Sequence, residues 1–200
     1  PKAIGNGQPA SLVRTQKLAK GHHFPDVTLV AVVNADGGFM SPDFRAPERT
    51  AQLIVQVAGR AGRAERPGTV IIQSYQPDSP LLNTLIHEGY GAFARQELES
   101  RVAAELPPHT PMALLRAEAV DGEDARRWLG VLAAHLGPGL QVFGPAPALM
   151  PRVADRLRFQ LMLTAATRRD LHRALLPLKT LDETPRSVRW SLDVDPYDTY

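Results

Sequence analysis

Two hundred residues, 44% hydrophobic and 22% charged, make an ordinary globular composition with room for one large domain or two small ones. No apolar run approaches the roughly 20 residues that span a bilayer, and no basic-then-apolar leader is visible, so a cytoplasmic protein without a membrane segment is expected. The absence of cysteine excludes disulfides and thiolate metal sites, and a net charge of +2 is too small to argue for nucleic acid by itself.

Residues 1–11 (PKAIGNGQPAS) read as loop, and Pro1 in place of a methionine reads as a cut or processed end. Residues 27–33 (VTLVAVV) form a continuous β-branched run, predicting a strand buried on both faces of a parallel sheet. Asn34, Ala35 and Asp36 follow at its carboxyl end, where ligands gather in open α/β sheets, and Gly37-Gly38 reads as a turn. Pro47 suits the first turn of a helix with Leu53, Ile54, Val57 and Ala58 inward, stopping at Gly59. Residues 69–75 predict the next strand. Residues 81–105 predict a helix weakened at Gly89 and Gly91 and ended by Pro107-Pro108. This strand–helix–strand order is half of a doubly wound lobe.

A smaller α+β unit follows. Residues 112–120 suit a strand, and 123–136 a helix with Trp128, Leu129, Val131, Leu132 and Leu136 inward. Residues 140–143 suit a short strand entering a Gly144-Pro145-Ala146-Pro147 turn. Residues 156–164 alternate, with Leu157, Phe159, Leu161 and Leu163 on one face and Arg156, Arg158, Gln160 and Met162 on the other. Thr167 and Asp170 make a capping-box-like start for a helix to about Leu178, and residues 188–194 close the unit. The expected fold class is α/β: a partial parallel-sheet lobe over residues 1–105, then a βαββαβ, ferredoxin-like domain over residues 106–200.

The chemistry concentrates in arginine, which supplies 19 of the 23 basic residues. A codon bias produces the same excess, so only the placement of particular arginines carries a functional claim. The sharpest placement is QVAGRAGR at residues 56–63. Two arginines three apart, among small residues and past a helix end, can reach one anion together. A phosphoryl group in transfer is such an anion, and an arginine finger there is worth about 10³–10⁵ in rate. Thirty-odd residues upstream stands TQKLAKGHHFPDV at 15–27, directly before the first predicted strand. His22-His23, without further ligands at metal-binding spacing, predicts no metal site.

These two strings resemble motifs V and VI of superfamily-two helicases. With Asp43-Phe44-Arg45, Glu48-Arg49, Leu106-Pro107-Pro108, Gly144-Pro145-Ala146-Pro147 and WSLDVDP at 190–196, the resemblance is to the primosomal protein N′ (PriA) family of replication-restart DNA helicases. It covers nearly everything after about residue 13. It implies that Gln56, Arg60 and Arg63 face ATP, with Gly59 and Asp36 as further cofactor-side candidates. It also implies that Thr15, Gln16, Lys20 and Gly21 form the loop coupling DNA contact to nucleotide state. Arg14 stands where the family usually has glycine.

No G-x-x-x-x-G-K-S/T string occurs in the 200 residues, so this chain alone is not expected to hydrolyse ATP. ATP and Mg²⁺ belong mainly to the family's upstream lobe, as does its cysteine-rich zinc segment. By the same resemblance, Arg156, Arg158 and Gln160 help hold the C-terminal tail of single-stranded DNA-binding protein, an arginine fork pairing with its terminal carboxylate. Arg116, Arg152, Arg168 and Arg169, with Arg158, are candidates to lend charge toward DNA. Forked or single-stranded DNA and other primosome proteins complete the implied partners. The alternative is an adaptor that binds DNA or single-stranded DNA-binding protein with no motor activity. A solvated outer sheet face is the plainer reading of the Arg156–Gln160 side.

Overall fold

The computed structural model describes residues 27–59, 61, 68–181 and 184–199. They divide into two units: the described residues up to Glu97, apart from Pro42–Phe44, and the remainder from Leu98 on together with Pro42–Phe44.

In the first unit, β1 (Leu29–Val32) and β2 (Thr69–Ile72) pair in parallel, Leu29 opposite Thr69 and Val32 opposite Ile72. Between them lie α1 (Asp36–Phe39) and α2 (Ala46–Ala58), with Pro47 in the first turn of α2 and Gly59 as its C-cap. The single turn α1 occupies the segment expected to be only a Gly-Gly turn. Two further helices, α3 (Pro80–His87) and α4 (Tyr90–Ala103), replace the one helix expected there. The break sits at Gly89, whose φ of +83° belongs to the left-handed region that glycine enters without steric cost.

Val32 and Ile72 pack on Ala51, Ile54, Leu85 and Phe93, so one face of the pair meets the helices. The other face does not: Leu29 is 56% and Ile71 52% exposed. The expectation of burial on both faces is therefore corrected. Among the described residues this sheet has two strands and one covered face, so burial alternates along each strand.

The second unit runs β3 (Met112–Ala119), α5 (Gly122–Ala134), β4 (Leu140–Val153), β5 (Arg156–Ala165), α6 (Arg168–Leu175), a 3₁₀ turn (Leu176–Thr180) and β6 (Val188–Val194). The strands lie in the order β4-β5-β3-β6, each neighbour antiparallel. Ala113, Leu115, Leu161, Leu163 and Val188 share one core with Trp128, Leu129 and Leu132 of α5 and Leu171 and Leu175 of α6. Each fully buried leucine contributes about 1.5–3 kcal/mol.

Local signals set the helix limits. The Asp121 carboxylate accepts from the Glu123 N–H at 2.9 Å, and the Thr167 hydroxyl accepts from the Asp170 N–H at 3.1 Å. Pro177 has no N–H to continue α6, and the chain tightens into the 3₁₀ turn. Val131, expected inward, lies at the margin of the buried stripe and is exposed.

Strand β4 differs most from expectation. Instead of a short strand and a turn it continues to Val153, with register shifts between Phe143 and Ala146 and between Pro147 and Arg152. Gly144 makes the first irregularity possible: its φ is +111°, and an added Cβ would stand 2.7 Å from the Gln160 carbonyl oxygen. Pro145, Pro147 and Pro151 are tolerated because β4 is an edge strand.

The sheet face opposite the helices is closed at one end and open at the other. Met112 and Leu114 are fully buried there. The chain after β6 returns to that end, the Asp195 N–H donating to the Met112 carbonyl at 2.9 Å. Pro196 and Thr199 are buried beyond it.

Candidate functional site

The open end is a lattice of outward side chains fixed by strand register. Glu118 of β3 stands opposite Arg158 of β5 on one side and Arg189 of β6 on the other. One step along, Arg116 stands opposite Gln160 and Ser191. Arg116, Glu118, Arg158, Arg189 and Ser191 line a shallow depression of about 190 Å³.

The arginines are held very differently. Arg116 is locked: Nη1 lies 3.1 Å from Asp193 Oδ2, and Nη2 donates to the Asp198 carbonyl at 2.9 Å. Arg156 is a brace between strands, its Nη2 donating to the carbonyls of Glu118 at 3.1 Å and Ser187 at 2.9 Å. Its Nε lies 3.5 Å from Glu118 Oε1. Arg158 and Arg189 approach the Glu118 carboxylate only to 3.9 Å, beyond hydrogen-bonding distance. Three guanidiniums thus face one carboxylate, a local excess of positive charge. Gln160 Oε1 is buried without a hydrogen-bond partner among the described residues.

Arg156, Arg158 and Gln160 do share this face, as their spacing predicts. The brace role of Arg156 was not legible, and neither were Glu118 or Arg189, whose place depends on strand pairing. The one local signal for Arg189 is its position between the inward residues Val188 and Trp190. Of the arginines considered for DNA, Arg152 pairs with Asp155 at 2.9 Å and Arg168 with Asp195 at 2.6 Å. Arg116 is locked as described, so much of that charge is already compensated.

In the first unit, Asp36 clips the two strand ends together. Its Oδ1 accepts from the Ser74 hydroxyl at 2.7 Å and its Oδ2 from the Tyr75 N–H at 2.9 Å. The Ser74 bond first, then the Tyr75 bond, holds this carboxyl below its ordinary range. Asn34, at φ +56°, donates its N–H to Gln73 Oε1 at 3.1 Å and accepts from the Gly37 N–H at 3.3 Å. Both oxygens of Asp36 are thus engaged within the loop. Gln56 lies exposed in the last turn of α2, beside Gly59, whose N–H returns to the Val55 carbonyl at 2.9 Å. Arg60, Arg63, Thr15, Gln16, Lys20, Gly21 and the His22-His23 pair lie outside the described residues. Among those described, no helix is long and apolar enough to cross a membrane, and no group of three or more His, Asp or Glu could hold a metal ion.

Residues 102–197, essentially the second unit, match the family of primosomal protein N C-terminal domains. Over 98% of its length the chain is 46% identical to the replication restart protein PriA of Haemophilus influenzae. It is 37% identical over 95% to that of Synechocystis, and 36% over 98% to that of Bacillus subtilis. The chain therefore belongs to the PriA family of replication restart proteins. It spans 27%, 23% and 25% of the length of these three relatives.

Proposed function

We propose that this chain serves replication restart as the C-terminal portion of an ATP-dependent DNA helicase. In this reading the first unit is part of a RecA-like motor lobe and the second a ferredoxin-like docking domain. The observation that carries it is similarity to replication restart proteins along 98% of the chain, a span that includes QVAGRAGR. Arg60 and Arg63 neutralise the charge that develops on the γ-phosphate, and Gln56 orients beside them. ATP, when bound with Mg²⁺ on regions beyond this chain, supplies the free energy for strand separation. Zinc is likewise assigned to the rest of the longer protein. Thr15, Gln16, Lys20 and Gly21 contact the DNA backbone through hydroxyl, amide, ammonium and close backbone approach. The open face of the β4-β5-β3-β6 sheet receives the acidic tail of single-stranded DNA-binding protein, with Arg156, Arg158 and Gln160 in its wall.

The test uses this chain within its full reading frame, extended to the relatives' length. Arg60→Ala and Arg63→Ala are each expected to lower DNA-stimulated ATP hydrolysis by about 10³–10⁵-fold. Hydrolysis unchanged in both variants overturns the finger assignment. No hydrolysis in the parent, with DNA or tail binding retained, establishes the adaptor reading instead.

A further inference from the structure

Resting on the reading that Gln56, Arg60 and Arg63 face ATP, we infer that Gln52 and Tyr90 read the adenine base of the same nucleotide. Gln52 and Gln56 are four apart on α2, so they share one face of the helix with a rise of about 6 Å between them. Val55 lies beside them, 44% exposed. With Tyr90, the first residue of α4, these three line an open depression of about 370 Å³, within the size range of small-molecule sites. Tyr90 is not a loose ring. It stacks on the buried Phe93, with ring centroids 5.9 Å apart and planes at 25°.

The hydrogen-bond polarity of the depression is fixed. Gln52 Nε2 donates to Glu48 Oε1 at 3.2 Å and to the Tyr90 hydroxyl oxygen at 2.9 Å. A carboxylate only accepts, so the Gln52 amide cannot turn over without setting oxygen against oxygen. Its Oε1 is left to accept, and the Tyr90 hydroxyl, already accepting, is left to donate. Neither group has a further hydrogen-bond partner among the described residues. One acceptor beside one donor complements an adenine edge, which presents an exocyclic amine next to a ring nitrogen. Guanine carries a carbonyl oxygen where adenine carries the amine, so in the same seat it opposes the Gln52 oxygen.

The depression suits the base of a nucleotide held elsewhere by its phosphates better than it suits a nucleic-acid strand. No lysine or arginine is among the described residues lining it, and a strand is held mainly through its phosphates by such cations. A nucleotide anchored by Arg60 and Arg63 needs only neutral groups for its base, and Gln52, Gln56 and Arg60 follow at intervals of four along the chain.

The test measures equilibrium binding of ADP and GDP to the full reading frame, extended to the relatives' length, by displacement of a fluorescent ADP labelled on its ribose. Inorganic triphosphate and a single-stranded oligonucleotide serve as comparison probes. The parent is expected to prefer ADP over GDP by about tenfold or more. Gln52→Ala and Tyr90→Phe should each reduce that preference about threefold, through weaker ADP binding, with triphosphate binding unchanged. Gln52 is exposed and Tyr90→Phe keeps the stacked ring, so neither variant removes a core contact.

A parent that binds both nucleotides alike, or a preference that both variants leave unchanged, overturns this inference while sparing the arginine assignment. Equal loss of ADP and triphosphate binding in the variants overturns the assignment to the base. Weaker oligonucleotide binding with the ADP preference intact gives the depression to a nucleic-acid strand and overturns the inference as well. Absence of nucleotide binding by the parent overturns both readings.

Discussion

The two sheets of this chain meet the same physical demand with different success. The four-stranded antiparallel sheet carries its cover with it, because α5 and α6 connect its own strands and pack on one face. The inward residues of β3 are fully buried, as are Leu161 and Leu163 of β5 and Val188 of β6, with Phe159, Trp190, Leu192 and Val194 half-buried against the same core. The parallel pair β1 and β2 covers one face with α2 and leaves Leu29, Val33 and Ile71 exposed on the other. Parallel strands need helices on both sides, and an antiparallel sheet does not. An exposed apolar sheet face is the mark of a surface made to be covered.

Leu161 is fully buried at the centre of the antiparallel sheet. Leu161→Ala should destabilise the second unit by about 2–5 kcal/mol in urea denaturation followed by circular dichroism. Ile71→Ser, on the exposed face of β2, should change stability by no more than about 0.5 kcal/mol. Equal losses from the two would mean that the faces are equally covered.

Two glycines of the second unit sit in opposite surroundings. Gly144→Ala must hold a left-handed φ and place Cβ 2.7 Å from a backbone oxygen, so a loss of about 1–3 kcal/mol is expected. At Gly130, inside α5, an added Cβ meets nothing within 4 Å, and Gly130→Ala should instead gain about 0.5–1 kcal/mol. Thermal unfolding of the two variants against wild type reads the opposite signs directly.

The smallest effect belongs to the first unit and depends on pH. The Asp36 carboxyl is lowered from 3.8 by Ser74 and Tyr75, so the unfolded chain takes up that proton more readily than the folded one. The stabilisation is complete above the unfolded value, and it fades as pH falls through the lower folded value. Hydrogen exchange at the Tyr75 amide should accelerate over that acid range. Asp36→Asn should show faster exchange already at neutral pH and no such acid step. A Tyr75 amide indifferent to both changes would remove Asp36 as the clip between the strand ends.

What the sequence determined by itself is everything written in local periods and short strings. Period two placed Leu161 and Leu163 opposite Arg158 and Gln160. Helical spacing marked Trp128, Leu129 and Leu132, and Thr167 with Asp170 announced the start of α6. The strings at residues 15–27 and 56–63 carried the family, which similarity along the chain then showed. Local period could not say how many strands β1 would find beside it, so a run of β-branched residues predicted burial on both faces where one is covered. Nor could it carry β4 through Gly144, since that bulge depends on the Gln160 carbonyl across the sheet.

The charged site needed the tertiary structure most. Glu118, Arg158 and Arg189 are brought into one row by pairings of β3 with both of its neighbours. Arg156 is diverted to two carbonyls, of Glu118 and Ser187, on separate segments. Side-chain spacing tells which residues share a face. Which arginine is consumed in holding the sheet, and which stops short of a hydrogen bond, is decided only when distant strands supply the competing acceptors.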